Sequence, residues 1–176
     1  KMGALKLGDP MDETTQLGPL SSEGALETIL KQVNKAVAQG AKIEVGGKKP
    51  NLTGNFIEAT IISNITPEMD LYKEELFGPV ASLYVVKNEE EAIQLANATE
   101  FGLGGSIFSK DIERAKNIAN QIDSGMIFIN HPTKSSTDMP FGGTKRSGYG
   151  RELSVLGIEE FVNKKLIRVI SEKEKL

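Results

Sequence analysis

"NEEEAIQLANATEFGLGGSIFSKDIERAKNIANQIDSGMIFIN", Asn88 to Asn130, decides the fold class. Asn88 precedes a run of glutamates with Glu91 at the N3 position, a spacing that starts a helix. "LGGSIF", Leu103 to Phe108, then reads as a strand. Ile112, Ala115, Ile118, Ala119 and Ile122 recur at helical spacing, and "MIFIN", Met126 to Asn130, is a strand again. Strands alternating with helices of this length build βαβ units. The chain is therefore expected to be α/β, with a mostly parallel open sheet carrying helices on both faces.

Working outward, residues 22 to 39 predict a helix. Ser22 is the N-cap, Leu26, Ile29, Leu30, Val33 and Val37 form one face, and Gly40 stands just past the end. Strands are expected at Lys42 to Val45, Phe56 to Ile62 and Val80 to Val86. In parallel α/β sheets, ligands bind beyond the carboxyl ends of the strands. That rule singles out 63 to 79, which carries "KEELFGPV", and 131 to 152, and it predicts that both emerge at one edge of the sheet. Met2 and Leu5 fall at helical spacing, as though ending an earlier helix, so the chain reads as part of something longer.

With 176 residues and 39% hydrophobic content, the chain can bury one sizeable core, and two full domains are not expected. A net charge of -3 offers no basic field for nucleic acid or for an anionic membrane, so neither is an expected partner. No apolar run approaches the ~18 residues of a membrane span, and the N-terminus lacks a secretion-signal core. The expected compartment is the cytoplasm. There is no cysteine, and His131 is the one histidine. Disulfides, a cysteine nucleophile and a Cys/His zinc site are thereby excluded from these residues, and no metal is expected.

"PFGGTKRSGYGRE", Pro140 to Glu152, invites a phosphate-binding reading that its spacing refuses. Gly143 is followed by Thr144, Lys145 and Arg146, which is not the order of a G-x-x-x-x-G-K-[ST] loop. Starting a G-x-G-x-x-G pattern at Gly148 puts Leu153 where the third glycine belongs. The patternless stretch 131 to 152 exceeds the ~12 to 15 residues beyond which irregular loops are usually functional or disordered. Met139, Pro140, Phe141 and Tyr149 within it favour a packed, cavity-lining loop.

"GDPMDETTQLGPL", "EELFGPV", "FGLGGSIFSKD", "GMIFIN" and "PFGGTKRSGYGRE", in that order, resemble the C-terminal half of the aldehyde dehydrogenase superfamily. The resemblance covers nearly the whole chain. "SSTDMPFGG" and "RSGYGREL" look most like the bacterial succinate-semialdehyde dehydrogenases. The resemblance implies NAD(P)-dependent oxidation of an aldehyde, here succinate semialdehyde, to its acid through a cysteine thioester. The nucleophilic cysteine, the general-base glutamate and the cofactor domain would lie upstream of this chain, and the segment alone would be inactive.

Residue by residue, the resemblance implies that Glu75 accepts hydrogen bonds from the nicotinamide ribose of NAD or NADP. Phe77 packs at the nicotinamide end, with Leu103 near the ring. Phe141 and Ser136 match substrate-pocket positions, Ser136 as a hydroxyl for a distal carboxylate. Glu152 matches a glutamate assigned to proton relay; equally, a carboxylate in a helix's first turn is favoured by the macrodipole. Ser136 could as well cap a local turn. Arg151 and Lys145 read as holding loop carbonyls or a neighbouring subunit. His131 reads as a packed loop histidine; a Ser135–His131–Asp138 triad is the other reading, and proximity in sequence does not establish one.

The expected organisation is residues 1 to 162 as the C-terminal part of the catalytic domain and 163 to 176 as an oligomerisation strand and tail. Within it, "KKLIRVI", Lys164 to Ile170, would join subunits into a homodimer or homotetramer. A CoA-acylating dehydrogenase and a non-catalytic binding or assembly module are the alternatives.

Overall fold

A computed structural model describes residues 1 to 171. The chain forms two compact units, Lys1–Lys87 and the residues from Asn88 onward. One sizeable core was expected; the chain instead divides in two, and its burial is uneven. Both clusters of buried apolar side chains lie in the first unit, and among the described residues of the second only Ala115 is a fully enclosed hydrophobe.

In the first unit, helix α1 spans Glu23–Ala38, and the Ser22 Oγ accepts from the Ala25 backbone N–H at 3.1 Å. Such a cap satisfies one of the four orphan donors of a helix start. Leu26, Ile29, Val33 and Ala36 follow the helical period and are all buried. At full burial each larger side chain contributes about 1.5–3 kcal/mol of transfer free energy. The helix stops before Gly40, whose φ of 109° suits glycine. Strand β1, Lys42–Val45, pairs antiparallel with β2, Thr60–Ser63, and β2 pairs parallel with β3, Val80–Ser82.

The strand expected over Phe56 to Ile62 is mostly not a ladder. Thr60, fully buried, explains the local geometry: its Oγ1 accepts from Gly47 N–H at 2.9 Å and donates to the Glu58 carbonyl at 2.7 Å. The chain before Thr60 is therefore tied to a turn, where a buried hydroxyl needs both partners.

In the second unit, Asn88 Oδ1 accepts from Glu91 N–H at 2.9 Å and starts α2, Glu89–Asn97. Strand β4 is Phe101–Gly102, and β5 is Gly105–Ile107. Helix α3, Ile112–Ala119, is capped by Asp111. Strand β6, Ile127–Ile129, runs parallel to β5, so this stretch is the βαβ unit its periodicity predicts. Strand β7, Thr144–Lys145, pairs antiparallel with β4, inside the stretch expected to be patternless. Helix α4 is Ser154–Glu159.

The α/β class holds. The single, mostly parallel open sheet does not: there are three small sheets, one mixed, one parallel and one antiparallel. Ladders of a few rungs, bounded by turns, leave β2 and β6 in separate sheets. The segments after them do not share the edge of one ladder. The strand expected at Lys164 to Ile170 is also absent, because no ladder partner faces it among the described residues. Leu166 and Val169 are 88% and 86% exposed. The tail beyond residue 171 lies outside the described residues.

Candidate functional site

Each unit carries a candidate groove of its own. In the first, β2 leads through a 3-10 turn at Asp70–Tyr72 into "KEELFGPV", which folds back toward β3. Leu76 packs on the buried cluster, whereas Phe77 is 78% exposed. An aromatic ring left open beside a packed neighbour marks a surface with something to meet. Glu75 and Phe77 line one groove of about 250 Å³ with Ala25, Thr28, Ile29 and Gln32 of α1. Gly78 permits this approach: a Cβ there would stand 2.5 Å from Ile29 Cδ1 and 3.3 Å from Leu20 Cδ2.

Gln32 is the residue that the sequence reading missed. Its side-chain amide donates to Glu74 Oε2 at 3.1 Å and to the Glu75 carbonyl at 3.2 Å. The available signal was a long polar residue one turn beyond Ile29, on the helix face that otherwise turns apolar side chains inward.

In the second unit, Leu103, Phe141 and Glu152 come together on a groove of about 650 Å³. Phe141 and Glu152 exchange a reciprocal pair of backbone hydrogen bonds, 2.8 and 2.7 Å, which closes the glycine-rich loop at its base. The Glu152 backbone thus belongs to this bridge and α4 starts two residues later, which removes the reading of Glu152 as a first-turn helix carboxylate. Leu153, just before α4, and Ser154, its first residue, have positive φ of 61° and 51°, a conformation that costs a non-glycine residue energy.

Two basic side chains of the loop, Arg151 and Lys145, act on carbonyls, whereas Arg146 pairs with the Glu100 carboxylate at 2.6 Å. Arg151 Nη1 donates to Gly143 O at 2.9 Å and Gly150 O at 2.6 Å. Lys145 Nζ reaches Asn97 O and Thr99 O at 3.0 and 3.1 Å, at the end of α2. Cations there meet the negative end of the helix dipole. This is the loop-carbonyl role expected of both. Gly125 abuts the same loop, and a Cβ on it would overlap the Gly142 carbonyl.

Ser136 is not on either wall. Its hydroxyl donates a short hydrogen bond to Asp138 Oδ1, and that bond, with a backbone donor, holds the Asp138 carboxyl below its usual range. Its neighbour Ser135 lines a smaller hollow of about 170 Å³ with Leu103 and Phe141. His131 Nδ1 contacts the Pro132 carbonyl at 2.6 Å, and Asp138 is engaged by Ser136, so no triad geometry is assembled. Among the described residues, no group of three or more acidic or histidine side chains could hold a metal ion. No helix there is long and apolar enough to cross a membrane.

The molecule is thus an α/β chain with an exposed carboxylate–aromatic groove in one unit and a glycine-shaped, apolar-walled groove in the other. It belongs to the aldehyde dehydrogenase family, whose profile matches residues 1–167. It is 52% identical over 168 residues to a succinate-semialdehyde dehydrogenase [NADP(+)] of Deinococcus radiodurans, covering 96% of this chain and 35% of that protein. The succinic semialdehyde dehydrogenase of Streptococcus pyogenes, solved with NADP+, superposes with a TM-score of 0.91 at 47% identity, over 95% of this chain and 37% of that one. A betaine aldehyde dehydrogenase from Staphylococcus aureus, solved with NAD+, gives 0.86 at 39% identity, over 96% and 36%. The chain therefore spans little more than a third of the length of the relatives it matches.

Proposed function

We propose that residues 1 to 162 are the C-terminal part of the catalytic domain of an NAD(P)-dependent, cytoplasmic aldehyde dehydrogenase acting on succinate semialdehyde. The nucleophilic cysteine, the general base and the cofactor domain lie upstream in this reading, and the 176 residues themselves contain no cysteine. The complete protein, not this chain alone, would hold the mostly parallel sheet with helices on both faces. The names of the similar proteins favour succinate semialdehyde as substrate and NADP as cofactor.

The observation that carries the reading is the pairing of Glu75 with the exposed Phe77 on one groove. These residues fit a nicotinamide nucleoside: a carboxylate accepts from two vicinal hydroxyls, and an open ring face packs on a flat heterocycle. Such a cofactor, when bound, supplies acceptance of hydride. The chain's own part is to orient. In the second unit, Leu103 and Phe141 provide apolar walls, and Glu152, which shares that surface with Arg151 and Glu160, is a carboxylate suited to holding or passing a proton. Ser136 remains a candidate for the distal carboxylate only if it releases Asp138.

The test is Glu75→Gln in the complete protein. Charge-assisted hydrogen bonds of roughly 1.5–3 kcal/mol, if they act mainly in the transition state, make hydride transfer about ten- to a hundredfold slower in single turnover. Overall cofactor affinity should change much less, because the rest of the dinucleotide is held elsewhere. An unchanged single-turnover rate removes Glu75 from the role.

A further inference from the structure

The turn that carries Glu75 and Phe77 is held from α1 at two points. Ala25, Thr28, Ile29 and Gln32, at i, i+3, i+4 and i+7, line the groove together. Ile29 fills the space beside Gly78. Gln32 supplies the polar hold: its one amide nitrogen carries two hydrogens and reaches the Glu74 carboxylate at 3.1 Å and the Glu75 carbonyl at 3.2 Å. The grip is on the backbone of Glu75, so the Glu75 side chain stays on the groove. Beyond it the turn bonds to itself, Gly78 N–H to Leu76 O at 2.9 Å and Val80 N–H to Gly78 O at 2.8 Å.

We propose that Gln32 is a positioning residue for cofactor use, fixing where Glu75 and Phe77 stand through the Glu75 carbonyl; this rests on the ribose-binding reading of Glu75. Glu74 has a part as well. Its carboxylate takes the second amide hydrogen and so sets the orientation of the Gln32 side chain. A rigid support of this kind matters because misplacement of an orienting group lowers the rate of the step it serves more than it lowers binding.

The experiment uses the complete enzyme with Gln32→Leu, which keeps bulk and helix propensity but removes the donor. Gln32→Glu, which places an acceptor against two acceptors, is the second variant should the first fold poorly. Two readouts are taken. In cofactor-free enzyme, amide exchange across 74–80 should quicken about threefold or more, while exchange within α1 is unchanged. In turnover, kcat should fall about three- to tenfold, the range carried by the one neutral hydrogen bond to the Glu75 carbonyl, with the aldehyde KM little altered.

The double variant with Glu75→Gln should lose less than the product of the two single losses, because the part of the Gln32 effect that runs through the Glu75 carboxylate is already gone and only the placement of Phe77 is left to lose. Unchanged exchange at 74–80 overturns the positioning role. Multiplying losses in the double variant overturn the route through Glu75. A silent Glu75→Gln sinks the ribose-binding reading itself, and the exchange data then judge the link between Gln32 and the turn by themselves.

Discussion

Ser136 and Asp138 show what a single side chain can and cannot do here. The Ser136 hydroxyl is spent on the Asp138 carboxylate, a local partner two residues away. A substrate carboxylate would have to displace one of its own kind. The sign of the pH effect follows from the lowered carboxyl. Because Asp138 titrates below its unfolded value, the contact is fully present above the ordinary carboxylate range and is lost as pH falls through the lowered folded value. In Ser136→Ala, the Asp138 midpoint followed by carboxyl-carbon NMR should therefore move up. If Ser136 also serves substrate, the same variant raises KM for succinate semialdehyde and leaves an aliphatic aldehyde of similar length unaffected. Equal KM values for both substrates before and after would leave Ser136 as a turn residue.

At the level of elements, the parts with local causes were legible in the sequence. Ser22 and Asn88 cap the helices that follow them, and β5–α3–β6 is the βαβ unit that the apolar periodicity predicts. What was not legible depends on distant partners. Nothing near Thr144 announces that it pairs with Gly102, and Phe56 to Ala59 look β-prone although Thr60 ties the chain to a turn. For the candidate site, motifs pointed to Glu75, Phe77 and Phe141, which line the two grooves, but not to Gln32, whose contacts come from packing α1 against a turn far along the chain. Gly125 is of the same kind, with meaning only beside the Gly142 carbonyl. Gly125→Ala should destabilise the second unit by about 1–3 kcal/mol, the usual cost of overpacking where backbone must move. Urea unfolding of the complete protein checks it, and an unchanged midpoint would mean that β6 and the loop separate easily.

For the whole molecule, the assembly reading rests on residues 163 to 170. They are exposed and belong to no ladder in the single chain, and several are large and apolar. Unpaired N–H and C=O groups with apolar side chains invite a strand from another subunit, the role proposed for Lys164 to Ile170. Deleting 164–176 from the complete protein should shift a homodimer or homotetramer toward monomer in sedimentation, whereas removing only 171–176 should not. An unchanged sedimentation coefficient per subunit mass would place this segment in its own chain's sheet instead. The uneven burial has a bearing on synthesis as well. The first unit holds both apolar clusters and leaves the ribosome first. It can consolidate while the second, with Ala115 as its one enclosed hydrophobe among the described residues, is still being translated. In a newborn chain the later-made half would then depend longest on shelter from outside itself.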